Sequence, residues 1–255
     1  MISILGRIKL ARLGGLATLG VVAVGLLTAT PALAWDLAPH ASAQSDAVKS
    51  ALDELESPDH ELSPLEQFLG VLGVLDAQIV DLQKSLISLK GLNSDQTSQR
   101  GEYLLFLEES ASYLTALRLD TEVEVADIKF LADDLRTWKE EIFDPQVQEI
   151  LNFSLILQAR SILRTAESRY LKIRSDIERL SDLKILTDNR ANLLLTEARL
   201  LLTAADTLLN QAEELLEEGG QDAQLRKAVN AAIVKIKLAY RKFLDISYLV
   251  RSSIK

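Results

Sequence analysis

Between residues 191 and 218 the chain repeats a seven-residue unit four times without a slip, as ANLLLTE, ARLLLTA, ADTLLNQ and AEELLEE. Ala191, Ala198, Ala205 and Ala212 share one heptad position. Leu194, Leu201, Leu208 and Leu215 share a second, and Leu195, Leu202, Leu209 and Leu216 a third. A period of seven is helical. Three apolar positions in seven make a stripe too wide for a single partner and suited to two or more neighbouring helices. Gly219-Gly220 ends the repeat and allows a sharp reversal. Asp222 can cap a following helix, whose stripe is Leu225, Val229, Ala232, Ile236, Ala239, Phe243, Ile246 and Val250. Matched stripes on either side of a tight turn predict an antiparallel hairpin of 189–218 with 222–253. Glu213, Glu214, Glu217 and Glu218 end one helix and Arg226 and Lys227 begin the next, so acids are expected to face bases across the turn.

The rest of the chain reads the same way. Residues 66 to 255 hold a single proline, Pro145, and no window alternates with period two. The fold class expected is all-α: an elongated antiparallel bundle or set of coiled-coil hairpins without β-sheet. Ser63-Pro64-Leu65-Glu66 is a helix start with a capping box. Its stripe is Leu65, Phe68, Leu72, Leu75, Ile79, Leu82, Leu86 and Leu89, and Gly91 is the expected stop. A second helix starts near Ser94 or Asp95, striped by Leu104, Leu107, Ala111, Leu114 and Leu117. Thr121 to Glu124 reads as another capping box, and a break near Asp120 is expected before Val125, Ile128, Leu131, Leu135, Trp138 and Ile142. Asp144-Pro145 reads as a further start. The stripe after it runs Ile156, Ala159, Leu163, Ala166, Tyr170, Ile173, Ile177 and Leu180, and fails at Lys184. A turn near Thr187 to Asn189, capped by Thr187 or Asp188, is expected there. The domain organisation is therefore 1–34, 35–62, a helical region 63–143, and a three-helix region 144–255.

Residues 1–34 carry Arg7, Lys9 and Arg12, then an apolar run, then Pro31-Ala32-Leu33-Ala34. That is the pattern of a secretory signal peptide cleaved after Ala34, with Ala41-Ser42-Ala43 as the fallback site. The alternative, an uncleaved anchor contacting the membrane, has a core short of the roughly 20 residues a span needs. Residues 35–62, with Pro39 and Pro58, read as a tether with one short helix near Asp46 to Glu56.

Charge and chemistry narrow the function classes. Net charge is −9, and removing the three positive charges of residues 1–34 leaves −12, which argues against nucleic acid. Residues 35–145 hold 23 acids and 8 bases, while 221–255 hold 2 acids and 8 bases. That asymmetry suits complementary contacts inside a bundle, or a basic C-terminal helix facing an anionic surface. Cysteine is absent, which removes thiol catalysis and thiolate metal sites. The only histidines are His40 and His60, and Asp59-His60-Glu61 reads as a solvated turn. Glu108-Glu109, Asp133-Asp134 and Glu140-Glu141 are adjacent pairs whose side chains diverge, so solvated faces are expected. Gly70 and Gly73 read as points of close helix approach. Asn152-Phe153-Ser154 fits a glycosylation tripeptide but sits mid-helix. The tyrosines look too scattered for a stacking platform. Leu65 to Leu75 is apolar enough to touch a membrane surface, but it is too short to span one and its stripe continues in register to Leu89, so a buried helix is expected.

No catalytic, cofactor-binding or metal site is expected. An exported bundle acting through protein contacts, as scaffold, spacer or adaptor of the cell envelope, is the leading expectation, with self-association possible. A membrane- or lipid-interacting helical protein is the alternative. A small-ligand binder with a pocket near Trp138, Tyr170 or Phe243 is the third.

Overall fold

A computed structural model describes residues 48–50, 52, 63–123, 128–186, 189–219 and 222–253. Six α-helices account for most of them: α1 (Pro64–Ser88), α2 (Ser94–Val123), α3 (Ile128–Trp138), α4 (Asp144–Asp182), α5 (Arg190–Glu217) and α6 (Asp222–Ser253). A π-helical turn, Lys139–Phe143, joins α3 to α4. Among the described residues no strand occurs. The described chain divides into two compact units between Gln158 and Ala159.

The caps explain where helices begin and end. Ser63 and Glu66 form the expected capping box, with the Ser63 amide donating to Glu66 Oε2 at 2.9 Å and the Glu66 amide to Ser63 Oγ at 3.3 Å. The second helix starts at Ser94, as expected, and its cap is Asn93, which accepts from the Gln96 amide at 2.8 Å while its own amide donates to Gln96 Oε1 at 3.2 Å. Asn and Gln do here what Ser and Glu do at α1. Thr121 is not a cap. Its hydroxyl donates to the Arg118 carbonyl at 2.7 Å inside α2, which runs unbroken past Asp120 to Val123. Glu124 lies outside the described residues.

The seam failure at Lys184 marks a true end. Helix α4 stops at Asp182, and Lys184 takes a left-handed φ of 55°. Its amide donates to the Ser181 carbonyl at 2.9 Å, and the Ile185 amide to the Leu180 carbonyl at 3.0 Å. This is a Schellman closure with lysine where glycine is usual. Asn189 stands at the start of α5 without a side-chain cap. The expected capping residues Thr187 and Asp188 lie outside the described residues.

In the C-terminal unit, α5 and α6 pack side by side as the expected hairpin. Gly219 turns the chain at φ 65°, and its amide closes on the Leu216 carbonyl at 3.2 Å. The buried face of α5 is Ala191, Leu195, Ala198, Leu202, Ala205, Leu209 and Ala212. Its spacing alternates four and three, so alanine and one leucine per heptad form the seam. Leu194, Leu201, Leu208 and Leu215 are only half-buried along its flank. All eight expected stripe positions of α6 are buried. The third side is α4, whose Ala159, Leu163, Ala166, Ile173, Ile177 and Leu180 are buried. Arg160 reaches across to α5, where its guanidinium meets Asp206, Asn210 and Glu213. Glu213 is therefore engaged by α4, a correction to the expected cross-turn pairing with Arg226 and Lys227. The charged link observed across the hairpin is Lys242 with Glu197 at 2.6 Å.

In the N-terminal unit, α2 lies antiparallel to α3 and the start of α4. Tyr113 meets Asp134, Phe106 meets Phe143, and Tyr103 meets Glu149, in descending and ascending order. Helix α1 buries Phe68, Leu72, Leu75, Ile79, Leu82 and Leu86 as expected. Leu65 is the exception, at 38 % exposure. Gly70 and Gly73 do not permit close approach: a Cβ on either would meet nothing within 4 Å. Residues 48–50 and 52 are helical, with Val48 and Leu52 buried.

Candidate functional site: the polar core around the π-helical turn

Five polar or charged residues are buried among the described residues: Gln78, Ser110, Lys139, Asn152 and Ser154. All lie in the N-terminal unit, which makes it the place to look for chemistry. The C-terminal unit has a purely apolar seam.

The π turn organises this core. Straight α-helical spacing predicts Leu131, Leu135, Trp138 and Ile142 on one face. The buried line is instead Leu131, Leu135, Lys139, Phe143 and Val147. Steps of four advance an α-helix by about 400° and drift around it. One widened turn absorbs the drift and holds the four-residue line on one side. Ile142 is rotated out and is 50 % exposed. The reason for the widening is Pro145. A proline inside a helix lacks an amide and crowds the carbonyl four residues back. The turn before it opens, and the Asp144 amide closes on the Lys139 carbonyl. Asp144-Pro145 thus marks where α-helical bonding resumes, without a break in the chain direction.

Lys139 is carried into the core by this register change. Its side chain is 3 % exposed, and its ammonium meets Asp144 Oδ2 at 2.6 Å. In the same unit the rings of Tyr113, Trp138, Phe143 and Phe106 form a run. Successive centroids are 4.7 Å, 4.9 Å and 6.3 Å apart. Sequence reading missed this platform, because Tyr113 and Phe106 are far from Trp138 along the chain. Only the antiparallel return of α3 brings them together.

Two tyrosines end on carboxylates. Tyr113 donates to Asp134 Oδ2 at 2.9 Å. Tyr103 donates to Glu149 Oε1 at 2.8 Å and accepts from Gln99 at 2.9 Å, with its ring edge-on to Phe153 at 5.2 Å. Burial first, then the neighbouring carboxylate, pushes both phenols well above their ordinary range. They remain neutral donors at any physiological pH. The acidic doublets are exposed, as expected, but not idle. Asp133 holds Arg136 at 3.0 Å, Asp134 takes Tyr113, and Glu140 lies 3.7 Å from Lys49. Arg136 also donates to the Leu52 carbonyl at 3.2 Å, tying the Leu52 backbone to α3.

The remaining sequence candidates separate from this core. Asn152, Phe153 and Ser154 are each at most 5 % exposed, so the tripeptide is closed to a glycosylating enzyme in the folded chain. His40 and the Asp59-His60-Glu61 cluster lie outside the described residues, as does the 1–34 segment. No group of three or more metal-type ligands occurs among the described residues. Trp138 and Phe243 belong to different compact units, and the rings of Tyr113 and Phe143 fill the space beside Trp138. In the 65–75 segment Phe68, Val71, Leu72 and Leu75 face the core, while Leu65, Leu69 and Val74 are each 38 % exposed. No helix among the described residues is long and apolar enough to cross a membrane.

The arrangement is built to hold a geometry. Its one buried cation is neutralised, its phenols are locked as donors, and its rings stack on one another. No protein-family model, curated protein or solved structure matches the chain.

Proposed function

We propose that this chain is an exported helical protein that acts through protein–protein contacts, as a scaffold, spacer or adaptor of the cell envelope. Export rests on the N-terminal pattern ending at Ala34. The observation that carries the contact role is a second apolar line on α1. Leu65, Leu69, Val80 and Ile87 are exposed and fall within about 60° of one another around the helix. The row borders the buried face, whose nearest members Leu72 and Ile79 lie about 20° to 40° from Leu65 around the helix. Scattered exposed leucines are ordinary, whereas an aligned row along a helix is the form helix-in-groove recognition takes.

A photo-crosslinking residue at Val80 tests this in the native envelope. One discrete protein adduct, lost when Leu69 and Ile87 are changed to serine, is the expected result. Adducts to lipid alone, or no adduct while the same probe elsewhere on the surface reacts, would remove the reading. Mass spectrometry of the exported chain should find its first residue at Trp35.

A further inference from the structure

The C-terminal unit is electrostatically two-faced. On α6 the outward positions repeat every seven residues as Lys227, Val234, Arg241 and Tyr248, with Lys237 and Arg251 beside them. All six are exposed, Val234 at 53 % and Tyr248 at 65 %. The acid on this stripe is Asp245. On α4 an open surface groove is lined by Ser161, Arg164, Thr165, Ser168, Arg169 and Lys172. Leu171, next to it, is 60 % exposed. The Arg169 guanidinium lies over the Tyr240 ring at 5.8 Å, which fixes the cationic side of α4 against α6. Helix α5 differs in balance: its exposed charges are Glu197, Glu214, Glu217 and Glu218 with Arg190 and Arg199, and Glu197 is held by Lys242 of α6.

We infer that the α4–α6 side of this unit docks on an anionic lipid surface, with the unit lying on the bilayer and not in it. Three observations together point to lipid. On α6 the exposed cations Lys227, Lys237, Arg241 and Arg251 outnumber the exposed acids Asp222 and Asp245, so attraction is local to this face of a chain whose net charge is −9. The cations alternate with large exposed apolar side chains, Leu171, Val234 and Tyr248, which suit the headgroup–acyl boundary and have no use on a nucleic-acid backbone. Long Lys and Arg stems let the charges reach phosphate while those apolar groups dip below it.

The absence of cysteine makes the test local. A single Val234→Cys change in the full chain carries a polarity-sensitive fluorophore on the proposed face, and Leu200→Cys carries it on the opposite, α5 side. A local probe ignores any attachment made by the apolar N-terminal segment. Phosphatidylglycerol-containing vesicles should blue-shift the probe at 234 and leave the probe at 200 unchanged. Pure phosphatidylcholine vesicles should do neither, and raised salt should reverse the shift. Lys237→Glu with Arg241→Glu should weaken the response by more than about tenfold, since each cation near an anionic surface contributes roughly fivefold. The inference is overturned if the probe at 234 is silent on anionic vesicles, or if both probes respond alike. It is also overturned if the shift appears without vesicles and grows with protein concentration, which would assign the face to a second copy.

Discussion

Lys139 and Asp144 are five residues apart and ion-paired at 2.6 Å, because the turn between them is π-helical. In an α-helix residues five apart stand about 140° apart around the axis. The π turn removes most of that angle and lets a buried ammonium find its carboxylate on its own helix. Proline, π turn, buried lysine and ion pair are thus one structural decision.

The pair should respond unequally to its two deletions. Asp144→Asn leaves an ammonium in the core without its carboxylate and should cost about 3–5 kcal/mol. Lys139→Met removes the charge and keeps the volume, leaving a carboxylate that is 32 % exposed, and should cost less than about 1.5 kcal/mol. Urea unfolding of both variants decides it. A Lys139→Met loss equal to that of Asp144→Asn would show that the charge is not what the core is arranged around.

On α5 the adjacent leucines separate the seam from its flank. Leu209 is fully buried and Leu208 half-buried. Leu209→Ala should cost about 2–5 kcal/mol, and Leu208→Ala clearly less. Equal shifts in the thermal midpoint would return the wider stripe to the seam.

Gly70 and Gly73 sit on the exposed side of α1 with open space where a Cβ would be. Either change to alanine should stabilise by about 0.5–1 kcal/mol, chiefly by restricting the unfolded chain. Calorimetry would show it as a higher midpoint. A lower one would mean that another helix surface needs that space.

Lys184 holds a left-handed conformation that L-residues adopt at a cost of about 1–2 kcal/mol. Lys184→Gly should therefore raise stability by roughly 1 kcal/mol while keeping the closure onto Leu180 and Ser181. Chemical denaturation at equilibrium is sufficient, and a drop in stability would speak against the closure.

Alkaline pH should attack the N-terminal unit through Tyr103. Its phenol titrates above its ordinary value of 10.0, through burial first and Glu149 second. A folded-state value above the unfolded one gives a contribution that is complete below pH 10 and declines as pH rises towards the folded value. Tyr103→Phe should flatten the alkaline limb of the stability–pH curve. An unchanged slope would place the loss on other groups.

The seams of α1 and α6, the hairpin at Gly219 and the capping box at Ser63 were legible in the chain because each depends on neighbours within one or two helical turns. Period and cap chemistry are local properties, and they suffice to make the chain all-α. Three features resisted that reading. Lys184 ends a helix without the glycine that usually signals it, and Asn93 with Gln96 caps α2 with amides in place of hydroxyl and carboxylate. Glu213 turned to Arg160 because a third helix supplied a better-placed guanidinium than the next one in sequence.

The aromatic run shows the division most clearly. Trp138 and Phe143 are near neighbours in the chain, yet five-residue spacing would point them apart on an α-helix. They stack because Pro145 widens the turn and because α2 returns antiparallel to present Tyr113 and Phe106. Periodicity reports which side of each helix is apolar, since that side must leave water wherever the helix goes. Which partner covers it, and which charge is drawn in beside it, depends on contacts between residues tens of positions apart, and those exist only once the helices have met.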